Sequence, residues 1–214
     1  MAGEPFRITG PAGEIEALSE APAGPPSALA VICHPHPLYG GSMGNKVVHM
    51  LAAGLRERGA QSLRFNFRGV GHSAGEFDNG EGETGDLCAV VEQAQQRFPD
   101  LPLWLAGFSF GAWVAARGVT LAGLRPRGLL LVAPPVNMYD FAGLPGMPVP
   151  WMVIQGRQDE IVPADAVAQW VKRQQPAPLF VALPDAGHFF HGRLNALKAA
   201  VTANFPPPAP EAEK

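Results

Sequence analysis

The stretch Leu103-Trp104-Leu105-Ala106-Gly107-Phe108-Ser109-Phe110-Gly111 decides how this chain is read. Its uninterrupted apolar start is what a strand buried on both faces requires. Gly-x-Ser-x-Gly behind such a run places the serine on a strand-to-helix turn. The backbone of that turn is strained. It is tolerable only if the positions two before and two after the serine carry no side chain to strike the adjoining strand and helix. Gly107 and Gly111 meet that condition. The Ser109 hydroxyl then projects from the sheet edge, and the helix start behind it offers free N–H groups to a developing negative charge. A lone pentapeptide of this kind arises by chance, so the rest of the chain must provide what a nucleophile needs.

Outward from this turn the chain alternates. Phe6 to Thr9 and Glu14 to Ser19, joined by Gly10-Pro11-Ala12-Gly13, read as an opening hairpin. Strands are expected at Leu29 to Cys33, Ser62 to Phe67, Leu103 to Phe108, Leu129 to Ala133, Trp151 to Gln155 and Leu179 to Leu183. Helices are expected at Val47 to Arg58, Thr84 to Phe98, Gly111 to Thr120, Pro163 to Gln174 and Leu194 to Phe205. Alternation of this kind predicts an α/β fold, a three-layer α/β/α sandwich whose twisted, mostly parallel sheet carries an N-terminal antiparallel hairpin. In such sheets ligands bind beyond the carboxyl ends of the strands. Residues 1–205 are expected to form one domain and the proline-rich, charged 206–214 a disordered tail.

Composition narrows the function. Charged residues make up 16% of the 214 residues and the net charge is −3, so no basic surface exists to neutralise nucleic-acid phosphates or anionic lipid. Cys33 and Cys88 are too few for a disulfide framework and form no Cys-x-x-Cys metal pattern, which suits a reducing interior. Met1 to Gly10 lacks a basic region followed by an apolar one, and no run reaches the roughly 18 apolar residues of a membrane span. The expectation is a cytoplasmic protein acting on a small molecule, with neither nucleic acid nor membrane as partner.

A serine hydroxyl is a weak nucleophile at neutral pH; it needs a base in hydrogen-bond reach and a third group to hold that base in the right tautomer. Asp159 lies in Gly156-Arg157-Gln158-Asp159-Glu160, beyond the strand ending at Gln155. His188 lies in Pro184-Asp185-Ala186-Gly187-His188-Phe189-Phe190, beyond the strand ending at Leu183. Both therefore belong to the sheet edge that carries Ser109, and the order Ser, Asp, His is the order of a nucleophile elbow on an open α/β sheet. His191 is the rival base; His188 is preferred because it follows its strand sooner and stands behind Gly187. Glu160, Asp165 and Asp140 are rival acids. Asp165 falls in the first turn of a helix, where the helix dipole explains a carboxylate, and Asp140 is the reserve, on an earlier strand end.

Three further blocks join these: Cys33-His34-Pro35-His36-Pro37-Leu38-Tyr39-Gly40-Gly41, Arg64-Phe65-Asn66-Phe67-Arg68-Gly69-Val70-Gly71, and Gly187-His188-Phe189-Phe190-His191-Gly192. With them nearly the whole chain resembles the α/β-hydrolase superfamily, and within it a family of compact bacterial hydrolases with a Cys-His-Pro-His-Pro stretch after the third strand. The resemblance implies a carboxylesterase- or thioesterase-like serine hydrolase that works through a covalent acyl-serine, without metal or cofactor. It also places Asn66 where many relatives carry Asp, leaving the partner of Arg68 open.

An oxyanion hole needs one N–H from the residue after the nucleophile, Phe110, and another from the loop after the third strand. Pro35 and Pro37 have none to give. The backbone N–H of His36 is the expected donor, with Leu38 or Tyr39 as the fallback. His34 and His36 also look like a metal pair, but nothing nearby in sequence completes a site, and shaping the loop is the simpler role. Gly69-Val70-Gly71-His72-Ser73-Ala74 formally matches a dinucleotide fingerprint. The acidic loop expected behind it, with Glu76, Asp78, Glu81 and Glu83, would repel a pyrophosphate. Tyr39, Phe108, Met138, Phe141 and Phe189 are expected to wall an apolar pocket. The interval Pro134 to Pro150 is too short for a large lid. The leading reading is then a serine hydrolase of small to medium esters or thioesters; two other classes stay open, a catalytically silent binding protein on the same fold and a dinucleotide-dependent oxidoreductase.

Overall fold

A computed structural model of the chain describes residues 3–206. The tail expected at 206–214 lies outside the described residues beyond Pro206.

Eight strands form one sheet: β1 (Glu4–Gly10), β2 (Gly13–Glu20), β3 (Ala28–Cys33), β4 (Ala60–Phe65), β5 (Leu103–Phe108), β6 (Gly128–Val132), β7 (Trp151–Gly156) and β8 (Leu179–Leu183). Five helices join them: α1 (Lys46–Glu57), α2 (Glu81–Arg97), α3 (Phe110–Thr120), α4 (Ala164–Lys172) and α5 (Leu194–Asn204). The strand order is β1-β2-β4-β3-β5-β6-β7-β8. β1 and β2 pair antiparallel, β2 meets β4 antiparallel, and every pairing from β4 to β8 is parallel.

The central strands are apolar along their whole length because they are covered twice. Side chains alternate across a strand. In β3, Leu29, Val31 and Cys33 face the layer of α2, α3 and α4, while Ala28, Ala30 and Ile32 face the layer of α1 and α5. Each such Leu or Ile contributes roughly 1.5–3 kcal/mol on burial. The sheet is therefore a rigid frame whose C-terminal edge gathers the loops after β3, β5, β6, β7 and β8.

Most elements lie within a residue or two of their expected limits. Two differences are informative. The strand expected at Ser62 to Phe67 is Ala60–Phe65, leaving Asn66 and Phe67 in the loop. The helix expected from Thr84 begins at Glu81, so Glu81 and Glu83 are not loop carboxylates as expected. Glu83 is fully buried and folds back to accept the N–H groups of Asp78 and Gly80, where its charge also meets the positive end of the helix. Gly80, with φ 96°, makes that reversal possible.

Arg68 finds its partner on the same helix. Its guanidinium donates to both oxygens of Asp86, at 3.0 and 2.8 Å, and its own backbone N–H reaches Asp86 at 3.0 Å. Asn66 instead bridges the Glu16 carboxylate and the Met43 N–H. The Gly69 to Ala74 block is thus a turn pinned to the sheet, with Ser73 donating to the Asn66 carbonyl at 2.7 Å.

Candidate active site

Ser109 stands between β5 and α3 with φ 54° and ψ −120°, a left-handed conformation that a residue with a Cβ adopts only under constraint. Its N–H continues the ladder by donating to the Val132 carbonyl at 2.9 Å. The flanking glycines are required by space. A Cβ on Gly107 would lie 2.6 Å from the Ala112 nitrogen, and one on Gly111 would lie 2.6 Å from the His34 carbonyl oxygen. In the first turn of α3, Ala112 and Trp113 donate to the Ser109 carbonyl, and the N–H of Phe110, at the helix start, has no acceptor among the described residues.

His188 and Asp159 meet Ser109 here. His188 Nε2 lies 3.1 Å from Ser109 Oγ, and His188 Nδ1 lies 2.9 Å from Asp159 Oδ2. His188 and Asp159 are both buried. A carboxylate behind Nδ1 fixes the tautomer with the proton on Nδ1, leaving Nε2 as acceptor toward the serine. The Asp159 turn is stitched to the His188 loop by Arg157 N–H to the Leu183 carbonyl and Gln158 N–H to the Ala186 carbonyl, each 2.9 Å. Gly156 lets the two loops approach so closely: a Cβ there would sit 2.9 Å from the Ala186 carbonyl carbon.

The Asp159 carboxylate is fully occupied. Oδ1 accepts from the N–H groups of Ile161 (2.9 Å) and Val162 (2.7 Å), and Oδ2 accepts from His188 and from Gln155 Nε2 (3.0 Å). Burial by itself would push this carboxyl up. The bond and charge of His188 and the N–H groups of Val162 and Ile161 outweigh burial and hold it below the ordinary Asp value.

The rivals stand elsewhere. His191 is exposed, its ring beside Phe189. Asp140 accepts the Gly143 N–H in an exposed turn, and Asp165 lies in the first turn of α4. Glu160 Oε2 accepts the backbone N–H of His188 at 3.2 Å and does not reach the ring in place of Asp159.

The loop after β3 is organised by its histidines. His34 is fully buried; its Nδ1 donates to the Pro35 carbonyl at 2.6 Å and its Nε2 accepts the Phe67 N–H at 3.0 Å. Burial pushes its pKa down to about 4, so it stays neutral in that role. His36 Nδ1 accepts the Leu38 N–H and caps a single 3-10 turn, Pro37 to Tyr39. Partial burial lowers the pKa of this ring as well. Tyr39 and Gly41 donate to the His36 carbonyl and Gly40 donates to Pro37. The fallback donors Leu38 and Tyr39 are therefore already used. Among the described residues, the His36 N–H has no protein acceptor, and Pro35 and Pro37 have no N–H.

Ser109 and His188 open onto a cavity of about 370 Å³ whose walls include Tyr39, Phe110, Pro135, Met138, Tyr139 and Phe189. Two expected wall residues do not reach it. Phe108 is fully buried behind the site, its ring 5.2 Å from that of His188, because strand alternation turns it toward the layer of α1 and α5. Phe141 packs between Trp113 (4.9 Å) and Trp170 (5.1 Å) and anchors the interval 134–150 to the core instead of lining the cavity. Tyr139, Pro135 and Ile161 were not expected there. Tyr139 adjoins Met138 in sequence, and that adjacency was the available signal. Phe190, fully buried at φ 52°, anchors the loop that presents His188.

A serine at a strained elbow on a mostly parallel, helix-covered sheet defines an α/β hydrolase. The model of the family described as serine aminopeptidase, S33 matches residues 24–146, and the chain belongs to this family of α/β serine hydrolases. It is 45% identical to a solved α/β serine hydrolase homologue from Coxiella burnetii, covering 96% of this chain and 98% of that one with a TM-score of 0.91. It is 42% identical to XC6422 from Xanthomonas campestris, an α/β serine hydrolase without lid, covering 95% and 93% with a TM-score of 0.89. It is also 39% identical to the uncharacterized protein RP471 of Rickettsia prowazekii over 205 residues, 91% of this chain and 85% of that protein. Among the described residues no helix is long and apolar enough to cross a membrane.

Proposed function

We propose that Ser109, His188 and Asp159 form a catalytic triad that hydrolyses small to medium carboxylic esters or thioesters with uncharged acyl groups. The observation that carries this reading is His188, which lies 3.1 Å from Ser109 Oγ on one side and 2.9 Å from Asp159 on the other, at the floor of an apolar cavity.

The chemistry follows from the positions. Ser109 Oγ attacks the ester carbonyl while His188 Nε2 takes its proton; Asp159 stabilises the resulting imidazolium. Negative charge moves onto the carbonyl oxygen, toward the N–H groups of Phe110 and His36. His188 returns the proton to the leaving oxygen or sulfur, and the C–O or C–S bond breaks to leave an acyl-serine. Water, deprotonated by the same His188, then attacks the acyl carbon and releases the acid and free Ser109.

The cavity lining favours esters over peptides with a free amino terminus. Among the described residues, the ionisable groups that line it are His188, His36 and the phenols of Tyr39 and Tyr139, with no carboxylate in the lining to hold an ammonium group. A relative without a lid fits the same reading, since Met138 on the short interval is 55% exposed and covers the cavity only in part.

The test uses the full chain with a fluorophosphonate probe and a chain-length series of aryl esters and acyl-CoA thioesters. The expected result is a covalent adduct on Ser109 and turnover that declines once the acyl chain outgrows the cavity. A folded protein that forms no adduct is instead a silent binding module, and the proposal fails.

The oxyanion assignment has its own test. His36 sits at φ −54°, a value proline adopts, so His36→Pro removes the N–H with little change in φ. His36→Ala keeps the N–H and removes only the ring. His36→Pro should lose on the order of 100 to 1,000-fold in kcat and His36→Ala much less. Equal losses in two folded variants would move the donor elsewhere.

A further inference from the structure

Gln155 is the penultimate residue of the otherwise apolar strand β7 and is completely buried. Its amide is aimed into the turn that carries Asp159. Nε2 lies 3.0 Å from Asp159 Oδ2, 3.1 Å from the Val162 carbonyl and 3.3 Å from the Gly156 carbonyl. Among the described residues, the buried Oε1 has no partner. Turning the amide over would set Oε1 against three oxygen acceptors, so the network itself fixes the orientation. An apolar side chain would avoid a buried, unpartnered oxygen and the folding free energy it costs. A glutamine held in spite of that cost points to the group it touches.

We propose that Gln155 is a positioning residue of the hydrolytic site, sharing Asp159 Oδ2 with His188 and so setting how much of that oxygen's charge faces the imidazole. The inference rests on the reading that Ser109, His188 and Asp159 act together. Asp159 Oδ1 is committed to Ile161 and Val162, and Oδ2 alone serves the ring. A hydrogen bond to a carboxylate favours its charged form and weakens it as a partner for a cation. Without the Gln155 donor, Oδ2 holds the His188 imidazolium more strongly, and the base stays protonated to higher pH. A merely structural role predicts the opposite sign, because a loosened Asp159 holds the imidazolium less well. The other groups around His188 are Ser109 at the start of α3, His36 and Tyr39 on the loop after β3, Tyr139 on the interval after β6, Glu160 at its backbone N–H, and His191 beyond Phe189. Gln155 hydrogen-bonds to none of these.

The variants are Gln155→Met, close in volume but without a donor, and Gln155→Leu as a second apolar replacement. The readout is kcat/KM for an aryl ester across pH, beside thermal unfolding. In the folded variants the acid limb should move up by about 0.5–1 pH unit, with KM unchanged and the alkaline plateau within about tenfold of native. A limb that stays in place or moves down overturns the proposal, as does failure of both variants to fold, which would assign Gln155 to the fold alone. Native protein without Ser109-dependent turnover overturns the underlying reading as well. Native turnover with an unmoved limb removes only the role of Gln155.

Discussion

Ser109→Ala is expected to fold like the native protein and to lose on the order of 10⁴ to 10⁶-fold in kcat. The argument rests on what the substitution leaves intact. Alanine keeps the Cβ, so the elbow at φ 54° is as strained as before, and its N–H still pairs with Val132. Gly107 and Gly111 still pass the adjoining backbone. The lost contact is the 3.1 Å bond to His188, whose Nε2 faces the cavity and finds water. The melting temperature should therefore stay within a few degrees of native, while ester turnover and the fluorophosphonate adduct vanish together. Retained turnover in the folded variant would place the nucleophile elsewhere in the chain. The N–H groups proposed for the oxyanion, on Phe110 and His36, stay in place together with the cavity, so a residual rate over water is expected and the loss is not complete.

The fold and the site were legible to different depths. Strands β3, β5, β6 and β7 announce themselves as apolar runs because they are covered on both faces, and the turns after β5, β7 and β8 hold the serine, acid and histidine that meet in the structure. What the one-dimensional pattern hides is the direction of a side chain and the way a polar group is satisfied. Phe108 adjoins Ser109 in sequence and faces away from the cavity, since neighbours on a strand point to opposite sides. Phe141 follows two true wall residues closely and is drawn off by two tryptophans that lie far away in sequence. Glu83 looks solvated among acidic neighbours until Gly80 turns the chain back over it. Gln155 looks like the polar end of a strand until its amide is seen beneath Asp159.

Asp159→Asn is expected to cost about 10⁴-fold in kcat while leaving the protein folded, because the substitution reverses a tautomer and not a shape. Asn is nearly isosteric, and its carbonyl oxygen has one good place, the Oδ1 position that accepts the N–H groups of Ile161 and Val162. Its amide nitrogen must then take the Oδ2 position, where it faces two donors, Gln155 Nε2 and His188 Nδ1. Gln155 cannot relieve this by turning over, since its nitrogen also serves the Val162 and Gly156 carbonyls. The imidazole can: it moves its proton to Nε2 and accepts from the Asn at Nδ1. In that tautomer Nε2 points a proton at Ser109 Oγ and can no longer remove one. Binding is untouched, so KM should hold while kcat falls. A loss below about tenfold in a folded variant would show that another acid, Asp140 first among them, orients His188 during turnover. Asp159 also supports the fold, because its carboxyl is held below the ordinary Asp value, so its charged form adds stability above that value and the contribution disappears as pH falls through the lowered one. The Asn variant should accordingly lose part of the acid dependence of unfolding, a second measurement on the same substitution that does not depend on turnover.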